Sequence, residues 1–128
     1  MTAFELLAAF FLGGLSYGAI ELLWRRRTHW TMVLTGGICF LGIYRVAALT
    51  ALAPLAQYIL CAMFITAVEF LVGAIVNVGL GWGVWDYSHQ RFNLYGQVCA
   101  LYALYWFVLS IPGCALARLL RSSVLGGL

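Results

Sequence analysis

Glu69, Gly73 and Asn77 recur at i, i+4 and i+8 inside an apolar run, with Thr66 beside them. At helical spacing these positions form one stripe. A charged side chain at such depth costs at least about 2.5–3.5 kcal/mol to insert. Glu69 must therefore be protonated, held by arginine or hydrogen-bond donors, or in contact with water. The stripe faces protein or a cavity, not lipid. Two readings stay open. One is helix packing through hydrogen bonds of about 0.6 kcal/mol each; the other is proton, ion or ligand binding.

A second polar cluster lies in VGLGWGVWDYSHQRFNLYGQ, residues 78–97, which holds Trp82, Trp85, Asp86, Tyr87, Ser88, His89, Arg91 and Asn93. The tryptophans and Tyr87 suit a membrane interface. Asn93 is an expected N-cap for the following helix. Asp86 either caps a local turn or pairs with an arginine, shaping the mouth of a site. Earlier in the chain, Tyr17 precedes Glu21 by one helical turn. The candidate ligand- or ion-binding set is Glu69, Glu21, Asn77, Asp86, Tyr17, Trp85 and His89. The candidate loop clasp and interface set is Arg25, Arg26, Arg27, His29, Trp30, Tyr87 and Asn93.

Other chemistries find less support. His29, His89 and Asp86 supply three potential metal ligands, but their spacing matches no metal motif. Ser88, His89 and Asp86 are neighbours in sequence, which does not make a triad in space. The chain has no Lys, so it cannot carry the GK[ST] phosphate-binding loop. No catalytic residue, metal or cofactor is assigned. An intramembrane enzyme acting on lipid would need Asp86, His89 or Glu69 to meet a headgroup, and no nucleophile accompanies them.

Composition sets the solvent. The 128 residues are 65% hydrophobic and 9% charged, with a mean hydropathy of +1.00. Soluble domains carry about 25% charged residues, so the bilayer must be the solvent here. The net charge is +3, and all seven basic residues are Arg. The Arg25-Arg26-Arg27 cluster reads as a topology signal or lipid-headgroup contact, not a nucleic-acid patch. Cys39, Cys61, Cys99 and Cys114 lie in apolar runs without a C-x-x-C pair, as packing thiols do. Glu5 replaces the basic start of a cleaved signal, so the first apolar run reads as a retained transmembrane helix.

The elements that must position these residues follow from hydropathy. The expected fold is all-α, a single domain of four transmembrane helices in a compact bundle, at about 3–24, 31–50, 55–80 and 94–118. A polar and aromatic connection occupies 81–93. Pro112-Gly113 should kink the last helix or end its membrane part, leaving a short interfacial tail at 114–128. Gly14-x-x-x-Gly18 lets another backbone approach closely.

Helices one and three then run toward the same face. Glu21, His29, Asn77, Trp85, Asp86 and His89 gather on that side, above Glu69. The same face carries Arg25, Arg26, Arg27 and Arg91, against Arg45, Arg118 and Arg121 opposite. That bias favours the three-arginine loop as cytoplasmic and is small enough to permit dual insertion.

SYGAIELLWRRRTHWTMVLTGGICF (residues 16–40) and EFLVGAIVNVGLGWGVWDYSHQRFNLYGQVCALYALYW (residues 69–106) resemble a bacterial family of small four-helix membrane proteins. The family is labelled putative ABC-transporter type IV, or CmpB-like permeases. Trp85-Asp86-Tyr87-Ser88 followed by Phe92-Asn93-Leu94-x-Gly96 carries most of the likeness, with Glu21, His29-Trp30 and Glu69. The resemblance implies a four-helix membrane fold and a role in transport, with any ATP coupling supplied by another protein. Arg25-Arg26-Arg27 is more basic than the resemblance leads one to expect, which bears on topology.

The resulting expectation is a small transport protein or channel-like permease of the bacterial inner membrane, with a polar vestibule containing intramembrane carboxylates. Its partners would be the lipid bilayer and a second copy of the chain or another membrane protein, with no nucleic acid. The alternative is a membrane-embedded binding or scaffold subunit of a larger complex.

Overall fold

A computed structural model describes residues 2–26 and 28–122. Its helices are α1 (Ala3–Arg25), α2 (Trp30–Leu49), α3 (Pro54–Gly73) and α4 (Ala100–Leu120), and α3 continues into a π-helix at Ala74–Gly79. With that extension counted as part of α3, four helices among the described residues are long and apolar enough to cross a membrane. Their starts have local causes. The Thr2 side chain accepts from the Glu5 backbone N–H, and the His29 ring accepts from that of Thr31. Pro54 opens α3, where its missing N–H has no intrahelical partner to lose. α1 ends where Arg26 turns left-handed, at φ 59°.

The last helix corrects one expectation. It starts at Ala100, not near residue 94, and its N-cap is Cys99. Asn93 caps no helix. It lies instead in β1 (Asn93–Leu94), which pairs antiparallel with β2 (Val98–Cys99). The Asn93 side chain accepts from the Gly96 N–H at 3.0 Å and donates to the Gln90 carbonyl at 2.8 Å. Phe92, Tyr95 and Gly96 all have positive φ, which folds this stretch back on itself before a helix can begin. At the other end, α4 continues through Pro112 and Gly113 to Leu120. Residues 123–128 of the expected tail lie outside the described residues.

α2 sits at the centre of the bundle and packs against α1, α3 and α4. Its core partners include Cys39, Phe40, Ile43 and Tyr44 on α2, Ile65 on α3 and Trp106 on α4. Small residues set the α1–α2 distance. A Cβ added at Gly14 would lie 2.7 Å from the Val33 carbonyl oxygen, and one at Gly36 would lie 2.5 Å from the Tyr17 Cβ. Both are shorter than a carbon can approach, so Gly36→Leu must push α1 away from α2. A loss of about 1–3 kcal/mol is expected from such overpacking, read as a lower unfolding midpoint in detergent.

α1 has no comparably extensive contact with α3 or α4 among the described residues. α1 and α4 therefore meet through side chains, such as the Tyr17 and Trp106 rings 5.9 Å apart, and not by close backbone packing. One end of the bundle is closed by polar pairs that link distant helices. Glu5 on α1 accepts from Tyr44 on α2 at 2.9 Å and pairs with Arg121 at 2.6 Å. Beside it, Arg118 donates to Gln57 at 2.9 Å. All four cysteines are free and buried.

Candidate functional site

The long connection after α3 is docked, not draped. Asn77 sits in the π-helix, where each turn holds an extra residue. Its Oδ1 accepts from the Val84 N–H at 2.7 Å, and its Nδ2 donates to Gln97 Oε1 at 2.8 Å. Trp85 is 4% exposed and donates through Nε1 to the Gln97 carbonyl at 3.0 Å. Gly73 makes the seat for both. A Cβ there would come within 2.5 Å of Gln97 Oε1 and 3.0 Å of the Trp85 ring. Gly73 and Asn77, one turn apart on the stripe, thus hold the loop against the end of α3.

Glu69 lies one turn deeper and is 4% exposed. Its Oε1 accepts from Trp106 Nε1 at 3.3 Å and its Oε2 from the Tyr87 hydroxyl at 3.2 Å. Burial, and then the neighbouring carboxylate, push the Tyr87 phenol above its ordinary pKa, which keeps it a donor. Tyr87 in turn stacks on Tyr102 of α4, with ring centroids 4.6 Å apart and planes at 15°.

Glu21 on α1 has one satisfied oxygen, Oε1, which accepts from Tyr17 at 2.8 Å. Oε2 has no hydrogen bond among the described residues. Arg25 Nη1 stands 3.4 Å away, in ion-pair range but outside hydrogen-bond geometry. The other Arg25 nitrogen, Nη2, donates to the Val84 carbonyl at 3.0 Å.

That last bond, with the rings of His29, Trp30 and Trp82 at 5.7–6.0 Å from one another, joins the first connection to the third. Among the described residues, Asp86 makes no hydrogen bond or ion pair to the first connection. Its Oδ1 accepts from the Ser88 N–H at 2.8 Å, a turn within its own loop. Arg26 is exposed at the end of α1, and Arg27 lies outside the described residues.

The Ser88 hydrogen bond holds the Asp86 carboxyl below its ordinary pKa. A group lowered in the folded state stabilises above its unfolded pKa and loses that effect as pH falls through the folded value. The 86–88 turn should thus hold at neutral pH and loosen in acid. Limited proteolysis of the loop should be faster at low pH, and Asp86→Asn should remove much of that pH dependence.

Two cavities meet around this framework. The larger, about 780 Å³, lies between the loop and the α1 and α4 helices. It is lined by Tyr17, Glu21, Arg25, Asp86, Tyr87 and His89 among others, with Trp85 at its wall. The smaller, about 220 Å³, runs along the α1–α2–α4 side of the bundle; it is apolar apart from Glu69, Tyr17, Ser16 and Thr35. Tyr17, Trp106 and Leu109 line both cavities. The Tyr17 and Trp106 rings stand 5.9 Å apart, so they form a partition, and Glu69 lies against it.

Of the candidate set, Tyr17, Glu21, Trp85, Asp86 and His89 share the larger cavity, whereas Glu69 lines the smaller one. Asn77 is consumed in holding the loop. Sequence reasoning missed Trp106 and Gln97, which supply the contacts to Glu69 and Asn77. It also missed Tyr102 and Tyr105. With Leu109, Tyr102, Tyr105 and Trp106 fall at i, i+3, i+4 and i+7, a one-face pattern that marks them as a group.

The family model described as Putative ABC-transporter type IV matches residues 4–125, nearly the whole chain. No curated protein and no solved structure matches.

Proposed function

Because the chain belongs to the Putative ABC-transporter type IV family, we propose that it is a small integral membrane transport protein whose pathway passes Glu69. One observation carries this reading. Tyr87 and Trp106, which hold the two oxygens of Glu69, line the larger cavity, while Glu69 itself lines the smaller one. Movement of two side chains would therefore join the cavities across a single carboxylate. Glu69 would act as the proton- or cation-responsive group, and Glu21 and Asp86 would furnish charge at the mouth. Four helices enclose little of a pathway, so the working unit is a dimer or an assembly with another membrane protein. The Arg25–Arg27 loop faces the cytoplasm of a bacterial inner membrane in this reading.

A second reading, a membrane-embedded subunit, draws on the same site. Both Glu69 oxygens are already occupied by hydrogen bonds, as a packing role requires. Reconstitution separates the two. The purified chain alone in liposomes should dissipate an imposed proton or organic-cation gradient faster than protein-free liposomes. Absence of flux for every cation tried, with a second membrane protein co-purifying stoichiometrically, would replace the transport reading by the subunit one.

A further inference from the structure

The larger cavity has a chemistry more specific than polar. Tyr87 and Tyr102 are stacked, and Tyr105 meets Tyr102 edge-on with centroids 5.2 Å apart. Trp106, Tyr17 and Trp24 complete an aromatic lining around the same space. Aromatic faces carry negative charge density and attract cations, most strongly where water is displaced. Two of the chain's four acidic residues, Glu21 and Asp86, line the cavity with them.

Glu21 supplies the independent sign of a ligand. Its side chain is 7% exposed, and Oε2 lacks a hydrogen bond among the described residues. An unsatisfied buried acceptor is costly, and Arg25 divides its hydrogen-bonding capacity by donating to Val84. Arg25 lines the same cavity and stands in ion-pair range of Oε2, so a cation entering there would compete with it for an oxygen that has no hydrogen bond among the described residues. The volume of about 780 Å³ falls within the range of about 300–1,000 Å³ that holds small-molecule ligands. Val108 and Leu109 on the wall suit an apolar body beside the charge.

We propose that the cavity between α1, α4 and the 80–99 loop binds an organic cation with an apolar or aromatic body, its charge shared between the aromatic faces and Glu21. This deepens the transport reading and rests on the cavity being the ligand site of that function. Inorganic cations are disfavoured because aromatic faces do not replace a full hydration shell, whereas a quaternary cation has little hydration to lose.

Two probes of one shape and opposite charge test this: tetraphenylphosphonium and tetraphenylborate. Each is titrated into the purified chain in lipid nanodiscs, with empty nanodiscs subtracted and tryptophan emission as the readout. The phosphonium should bind saturably, at least about tenfold tighter than the borate. Glu21→Gln should weaken it about tenfold. Tyr102→Leu, which keeps apolar bulk but removes the aromatic face, should weaken it about three- to tenfold.

Equal binding of the two probes overturns the proposal. So does the absence of saturable phosphonium binding, or unchanged affinity in a folded Glu21→Gln protein. The comparison of probes on the unaltered chain decides the matter even where a variant fails to fold. Failure of the two readings is distinguishable. Phosphonium binding without flux in liposomes removes transport and keeps the ligand class, whereas proton flux without phosphonium binding does the reverse.

Discussion

Glu69→Gln is expected to lower protein-dependent flux in liposomes at least about tenfold, equivalent to about 1.4 kcal/mol, while leaving the fold intact. The reasoning starts from the partners. Trp106 Nε1–H can only donate, whereas the Tyr87 hydroxyl can donate or accept. A glutamine at position 69 can turn its Oε1 toward Trp106 and its amide N–H toward Tyr87. Both contacts of the carboxylate are then reproduced at similar length, and only the ionisable group is lost. Glu69→Leu differs in kind. It leaves two donors unanswered, the buried Trp106 N–H, at about 1–3 kcal/mol, and the half-buried Tyr87 hydroxyl at less, so it should lose stability as well as flux. Flux and unfolding midpoint measured on both variants separate a role in transport from one in packing. If Glu69→Gln keeps full flux, Glu69 serves packing alone.

Trp85→Ala is expected to be the most damaging single change in the connection. The side chain is 4% exposed, packs on Gly73 and bonds the Gln97 carbonyl. Truncating a buried tryptophan costs about 3–5 kcal/mol, here concentrated where the loop meets α3. Gln97 would lose one partner and Asn77 would be partly uncovered, so the 80–99 segment should detach before the helices separate. The expected signature is rapid protease cleavage within that segment in detergent, alongside retained helical circular dichroism. Trp82→Ala offers a contrast. Trp82 is 49% exposed and touches only the rings of His29 and Trp30 among the aromatic contacts described, so its loss should loosen the tie between connections with a smaller effect.

Hydropathy made the bundle legible because each helix must satisfy its own backbone hydrogen bonds in lipid. The start of α4 was not legible. Asn93 to Cys99 reads as the polar edge of an apolar run, and the hairpin depends on left-handed conformations at Phe92 and Tyr95, which side-chain type alone does not announce. Glu69 stood out in the sequence because insertion penalises a carboxylate. Its partners did not, since Tyr87 and Trp106 are distant in the chain and aromatic residues are ordinary near an interface. Gln97 was obscured by its position beside turn residues. Asp86 invited a link to an arginine, yet its short side chain is satisfied two residues along the chain, and the longer Arg25 reaches across instead. Glu5 and Arg121 lie at opposite ends of the sequence, so only the fold brings them together.

Carbodiimide labelling examines Glu69 directly. A lipid-soluble carbodiimide adds to protonated carboxyl groups within membranes, and mass spectrometry of the digested protein assigns the adduct to one residue. If the pathway passes Glu69, an adduct forms there and flux falls in proportion to the labelled fraction, with tetraphenylphosphonium slowing both. A Glu69 that never reacts in actively transporting protein, or one fully modified while flux stays unchanged, would contradict it.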